Sequence, residues 1–281
     1  MSDSDKYPAD SGRRRFVKGV VGGSALAAAG VTGAAGVNSA TSSSGAGGGN
    51  TQAMAIENTA GPAPRGMPVI PIEIENGALK GIWPEVQTVD QGGREVQIAR
   101  TEDFKGSGVT YSQEWFQYCG VEAYAGLVPD AEQDNFFRSG SSPGYTWQSE
   151  TYSEGDQLMV EDFSDYRTWT NEFGDEAVGK PATGIWRSVD SEDTIPVQVL
   201  RSPIVEELAA QDPFVDAATQ DGFMAWLNKC THFCCVPGWK QSADAAKFGE
   251  TDEVYCQCHQ SLYDPFSIVE TLFVARPRPD D

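Results

Sequence analysis

Histidine is nearly missing from this 281-residue chain, which holds two. Cysteine is scarce at six, and lysine reaches only eight. Lys and Arg together number 20 against 41 acidic residues, giving a formal charge of −21 and a pI near 4.3. A surface of that sign repels polyanions, so nucleic acid and anionic lipid are poor partners for it. Carboxylates are so abundant that adjacent pairs say nothing about acid–base chemistry. No internal repeat is present, and no phosphate-binding glycine loop; Gly92-Gly93 reads as a turn. Long runs of large apolar side chains are missing as well. The uncharged stretch 19–37 is rich in Gly and Ala, with one Leu and no Ile or Phe.

The charge excess points to the solvent. Self-repulsion is considerable at low salt, but at molar salt the screening length falls to about 3 Å and the repulsion largely vanishes. The composition fits adaptation to a salt-saturated cell; an acidic secreted protein is the plainer alternative.

What little histidine and cysteine there is lies together. Both histidines and five of the six cysteines fall in two runs, Cys230-Thr231-His232-Phe233-Cys234-Cys235 and Cys256-Gln257-Cys258-His259-Gln260-Ser261. This is the signature of a soft-ligand metal site. Each run offers one Cys and one His at short spacing, plus a second Cys. A [2Fe–2S] centre with mixed ligation takes two thiolates on one iron and two imidazoles on the other. A Cys2His2 zinc site uses the same ligand types, but separates paired ligands by two to four residues so that they converge on one small ion. Cys230-x-His232 is too tight for that, and zinc leaves Cys235 and Cys258 unused.

At these residues the chain resembles the Rieske iron–sulfur proteins, whose signature loops run C-T-H-x-G-C and C-P-C-H-x-S-x-Y. Carried over position by position, the resemblance implies Cys230, His232, Cys256 and His259 as ligands of one [2Fe–2S] cluster per chain. It implies a disulfide between Cys235 and Cys258, as in the high-potential branch. Ser261 and Tyr263 match the hydroxyl residues that hydrogen-bond a bridging sulfide and a ligand thiolate. The likeness is tight over 222–265, where Val236-Pro237-x-Trp239 also looks bc-type, and thin elsewhere. Departures are Cys234 in place of Gly and Gln257 in place of Pro. The family's Gly-Pro-rich shielding loop, expected after the second motif, is matched only by Arg276-Pro277-Arg278-Pro279. Gly61-Pro62-Ala63-Pro64 lies upstream of both motifs and reads as coincidence.

The N-terminus points outside the cytoplasm. Gly12-Arg13-Arg14-Arg15-Phe16-Val17-Lys18 resembles the twin-arginine export motif, a route suited to proteins folded before export. The following 19 residues, 19–37, span about 28 Å as a helix, enough for a bilayer core. They lack a clean small-x-small cleavage site, which favours a retained anchor over a cleaved signal. Residues 38–64 read as a flexible linker; the Ser/Gly-rich part, 38–50, has a reach near 20 Å.

Residues 65–281 are expected to form an all-β head, by resemblance a Rieske-type antiparallel β-sandwich with a small cluster-binding subdomain over about 222–266. Short apolar runs 223–227 and 254–255 read as strands leading into the two motifs. A hairpin is expected over 86–99 and a strand over 194–201, with brief helices over 206–210 and 215–219. Residues 240–253 read as a polar surface excursion. The motif loops, 229–243 and 254–263, carry no acidic residue in 25 positions, a tip suited to docking against an uncharged ligand or partner. Cys119 stands alone, either buried and inert or paired with Cys234.

The resemblance implies the iron–sulfur subunit of a membrane-anchored, extracytoplasmic quinol–cytochrome c-type oxidoreductase, similar to those of extreme halophiles and not catalytic alone. Its partners would be a cytochrome b-type membrane subunit, quinol, a cytochrome or copper-protein acceptor, and the twin-arginine export machinery. An exposed imidazole, of His232 or His259, would take the quinol proton. Alternatives are a Rieske subunit of another exported oxidoreductase, arsenite-oxidase-like, and a zinc-stabilised binding module. A ferredoxin or oxygenase component is disfavoured, because that branch lacks the equivalents of Cys235 and Cys258.

Overall fold

Small residues open the described part of the chain, and they pair rather than coil. The computed structural model describes residues 49–91, 93–117, 133–188, 195–231 and 235–275. Gly49–Ala60 is a twelve-residue strand, β1, with Thr51, Ala53 and Ala55 buried and Gln52 exposed between them. Its partner is β12, Ser261–Ala275, antiparallel from Gly49↔Ala275 to Ala60↔Leu262. This corrects the linker expected over 38–64: from Gly49 to Ala60 it is sheet. Alanine has little strand propensity of its own, and burial against a long partner overrides it. β12 contains Pro265, which cannot donate to a ladder. The register jumps there, from Ile56↔Ile268 to Glu57↔Asp264, so the proline falls in a bulge.

The other strands are β2 (Met67–Ile70), β3 (Ile72–Glu75), β4 (Ala78–Gly81), β5 (Val86–Gln91), β6 (Arg94–Thr101), β7 (Tyr111–Ser112), β8 (Lys180–Trp186), β9 (Ile195–Arg201), β10 (Phe223–Leu227) and β11 (Val254–Cys256). Seven of them form one antiparallel sheet in the order β11-β12-β1-β2-β10-β9-β8. The sheet curls: Gly238, just past β10, bridges back to Tyr255 in β11 at the far edge. The chain is mostly β with few helices, an all-β fold. β5 and β6 form the expected hairpin, Val86↔Ala99 through Gln91↔Arg94, and β9 is the strand expected near 194–201.

Four short helices are described: α1 (Thr146–Thr151), α2 (Pro203–Ala209), α3 (Pro213–Ala218) and α4 (Ala245–Phe248). The second and third start on strong local signals. Ser202 accepts from the Ile204 N–H and Asp212 from those of Phe214 and Val215, each followed by Pro at the first helical position. The core is aromatic. Trp83, Phe116, Phe137 and Trp186 interlock with ring centroids 5.1–6.2 Å apart, above Gly81, where a Cβ would meet the Trp186 ring at 2.6 Å.

β10 and β11 belong to the large sheet, so the stretch expected as a cluster-binding subdomain is joined to the rest by strand pairing. The export motif, the anchor over 19–37 and residues 38–48 lie outside the described residues. Among the described residues, no helix is long and apolar enough to cross a membrane.

Candidate metal centre

β10 delivers the first loop from the core. All five of its residues are buried, and the turn beyond it is closed by the Cys230 N–H donating to the Cys235 carbonyl at 2.7 Å. β11 delivers the second, closed by the Gln260 N–H on the Cys256 carbonyl at 2.8 Å. Gly238 and Tyr255 exchange both backbone hydrogen bonds, at 3.0 and 2.9 Å, and so hold the bases of the two loops side by side. Trp239 anchors the return of the first loop. Its indole N–H donates to the Asp252 carbonyl at 2.6 Å, and its own carbonyl accepts from the Tyr145 hydroxyl at 2.6 Å. The excursion over 240–253 is not loose at its ends: Lys240 and Glu253 are buried, with Lys240 Nζ 3.0 Å from Asp252.

Between the loops, Cys235 and Cys258 form a disulfide with Cα atoms 6.6 Å apart. Cys230 and Cys256 are buried thiols outside the disulfide that touch each other. Cys256 is pushed well above the ordinary thiol range, first by sharing a hydrogen bond with Cys230 and then by burial; the backbone N–H groups of Cys258 and His259 oppose this. The Sγ atoms of Cys235, Cys256 and Cys258 all lie within 4.8 Å of one another. The Tyr263 hydroxyl donates to Cys230 Sγ at 3.3 Å, and burial together with that bond raises its pKa. Ser261 is wholly buried and its Oγ has no hydrogen-bond partner among the described residues, an expensive arrangement for a hydroxyl.

Cys230, Cys235, Cys256, Cys258, Ser261 and Tyr263 are thus brought together, while the His259 side chain is exposed at the loop tip. His232, with Cys234 and Cys119, lies outside the described residues, as does the 276–279 run.

The dismissal of residues 61–64 as coincidental is corrected. The connection from β1 to β2 runs across both loops. Asn58 Nδ2 donates to the Leu262 carbonyl at 2.9 Å. Gly61, at φ +85°, lies so close to the second loop that a Cβ would meet Ser261 Cα at 2.5 Å and the Gln260 carbonyl at 2.8 Å. The Thr231 hydroxyl donates to the Arg65 carbonyl at 2.7 Å. The signal in the sequence was glycine itself, a residue that permits close backbone approach and positive φ.

Comparison of the chain with protein-family models, curated proteins and solved structures finds no match.

Proposed function

We propose that the chain is an electron-transfer protein of the Rieske type, the iron–sulfur subunit of an exported, membrane-anchored quinol oxidoreductase of the bc class. The observation that carries this reading is the company kept by two buried thiols. Cys230 and Cys256 come from separate loops cross-linked by the Cys235–Cys258 disulfide, with one hydroxyl donating to Cys230 and a second, Ser261 Oγ, buried with no partner among the described residues. A hydroxyl in that state fits a non-protein acceptor beside the thiols, and a bridging sulfide is such an acceptor. Cys230, His232, Cys256 and His259 would hold the cluster. When bound, it supplies a one-electron acceptor at a potential that mixed Cys/His ligation sets high.

The chain's own groups have distinct tasks. Backbone N–H groups of Cys258 and His259 aimed at the Cys256 sulfur favour its thiolate, as does the Tyr263 hydroxyl for Cys230. The disulfide keeps the two ligand loops together in an oxidising compartment. His259, exposed, is placed to exchange a proton with a bound quinol or solvent. Val236 is 47% exposed on a tip without acidic side chains, and a cleft of about 360 Å³ opens beside it between Gly144, Gly184 and Gln241. The cleft itself carries one carboxylate, Glu154, so it is the loop tip, free of acidic side chains, that suits docking to a cytochrome b-type subunit or the downstream cytochrome or copper-protein acceptor.

Analysis of the protein, purified at high salt, for iron, acid-labile sulfide and zinc tests this. Two iron and two sulfide per chain are expected. Stoichiometric zinc without sulfide would overturn it in favour of a zinc-stabilised module.

A further inference from the structure

In a chain dominated by carboxylates, one cation near the ligand loops has no carboxylate partner among the described residues. Arg65 follows the close-packed segment at Gly61. Its backbone carbonyl accepts from Thr231, the residue after Cys230. Its guanidinium stacks 3.8 Å over the Phe273 ring in β12, and Nη2 donates to the Gln117 carbonyl. Nη1 is sealed from solvent with no hydrogen-bond partner among the described residues. No carboxylate pairs with Arg65 among the described residues, whereas Lys80, Arg138, Lys180 and Lys240 each have one. Burial lowers its pKa to about 10, which leaves it charged at neutral pH, and it interacts electrostatically with Tyr263, the donor to Cys230.

A buried charge without a counterion is costly, and proteins keep one where an opposite charge offsets it. We propose that Arg65 is the countercharge of the metal centre, a residue that raises its reduction potential by stabilising the electron added on reduction. This rests on the iron–sulfur reading above. Arg65 sits on a segment upstream of both ligand loops whose backbone is held by one contact to each, Gly61 on Ser261 and the Arg65 carbonyl on Thr231, and its charge is felt by Tyr263, the donor to Cys230. Its field acts through protein rather than bulk water, so molar salt screens it far less than it screens a surface lysine.

The test is a reductive titration of the full chain at molar salt, followed by EPR, for wild type, R65Q, R65K and the control K247Q. Lys247 is 64% exposed. R65Q is expected to lower the one-electron equilibrium constant about tenfold, a fall of about 59 mV in midpoint. R65K should stay within about twofold of wild type, and K247Q should not move. If R65Q fails to assemble, assembly in R65K with a near-wild-type midpoint supports the role of charge. An unshifted R65Q, an R65K that falls as far as R65Q, or loss of assembly in both would overturn the proposal. Iron and sulfide in the wild-type protein are measured first, so a chain that binds neither sinks the iron–sulfur reading and is told apart from failure of the Arg65 role.

Discussion

The aromatic core and the cysteine loops are built on opposite plans. Around Trp186, each large side chain meets another from the same chain: Trp83, Phe116 and Phe137 ring it, and Trp186 Nε1 donates to the Asn135 carbonyl at 3.0 Å. Around Cys256, the chain supplies a cross-link, two thiols, backbone N–H groups aimed at sulfur, and a buried hydroxyl, Ser261 Oγ, with no hydrogen-bond partner among the described residues; the four core rings have such an atom too, in Trp83 Nε1, but no thiol and no cross-link. The first region is a device for burying apolar area; the second holds polar and sulfur groups at fixed positions at the expense of stability. A region of the second kind is where function is to be sought.

Substitutions should separate the two plans. The largest stability loss belongs to the core. Trp186→Ala removes the ring on which three others pack, and about 3–5 kcal/mol of unfolding free energy should go with it in denaturant titrations at high salt. A loss below about 1 kcal/mol would mean the core is not organised around this residue.

Next comes the cross-link. Cys235→Ser opens a bridge spanning 23 residues of sequence, worth about 3 kcal/mol in the chain-entropy picture. Unlike Trp186→Ala, it should also make any bound iron labile. Stability and iron retention both unchanged would show that the loops are held by their backbone contacts alone.

Smaller again is Gly61→Ala, which places a methyl against the Ser261 backbone and forces a side chain into positive φ. About 1–3 kcal/mol should be lost, with Ser261 resonances displaced by NMR. An unperturbed second loop would remove the upstream segment from the site.

The smallest stability effect belongs to Ser261→Ala. Deleting a buried hydroxyl with no partner among the described residues should change the metal-free protein by under about 0.5 kcal/mol, or stabilise it. In the loaded protein, the same change should lower the midpoint by tens of millivolts, because a donor to the reduced centre is gone. A large destabilisation of the metal-free protein would show that the hydroxyl serves the fold instead.

Much of the site was legible because its signals are local. The two Cys/His runs, the strands Phe223–Leu227 and Val254–Cys256 leading into them, and the turn at Gln91-Gly92-Gly93 all announce themselves within ten residues. The caps of α2 and α3, Ser202-Pro203 and Asp212-Pro213, are equally local, yet the helices expected from 206 and 215 start three and two residues earlier, at Pro203 and Pro213. β1 and β12 were hidden for the opposite reason. Ala, Gly and Thr from residue 49 onward look like coil, and Asp264-Pro265 looks like a strand stop. Only the pairing of Gly49 with Ala275, far apart in sequence, turns both into sheet. The approach of Gly61 to Ser261 depends on that pairing, so no local reading could find it.

The central claim is that Cys256, not its neighbour Cys258, binds the cluster, with Cys258 spent on the disulfide. EPR of the reduced protein, recorded for wild type, Cys256→Ser and Cys258→Ser, tests it most directly. The account predicts a Rieske-type signal in wild type, none in Cys256→Ser, and a weaker, labile signal in Cys258→Ser. A wild-type spectrum in Cys256→Ser together with its loss in Cys258→Ser would contradict it.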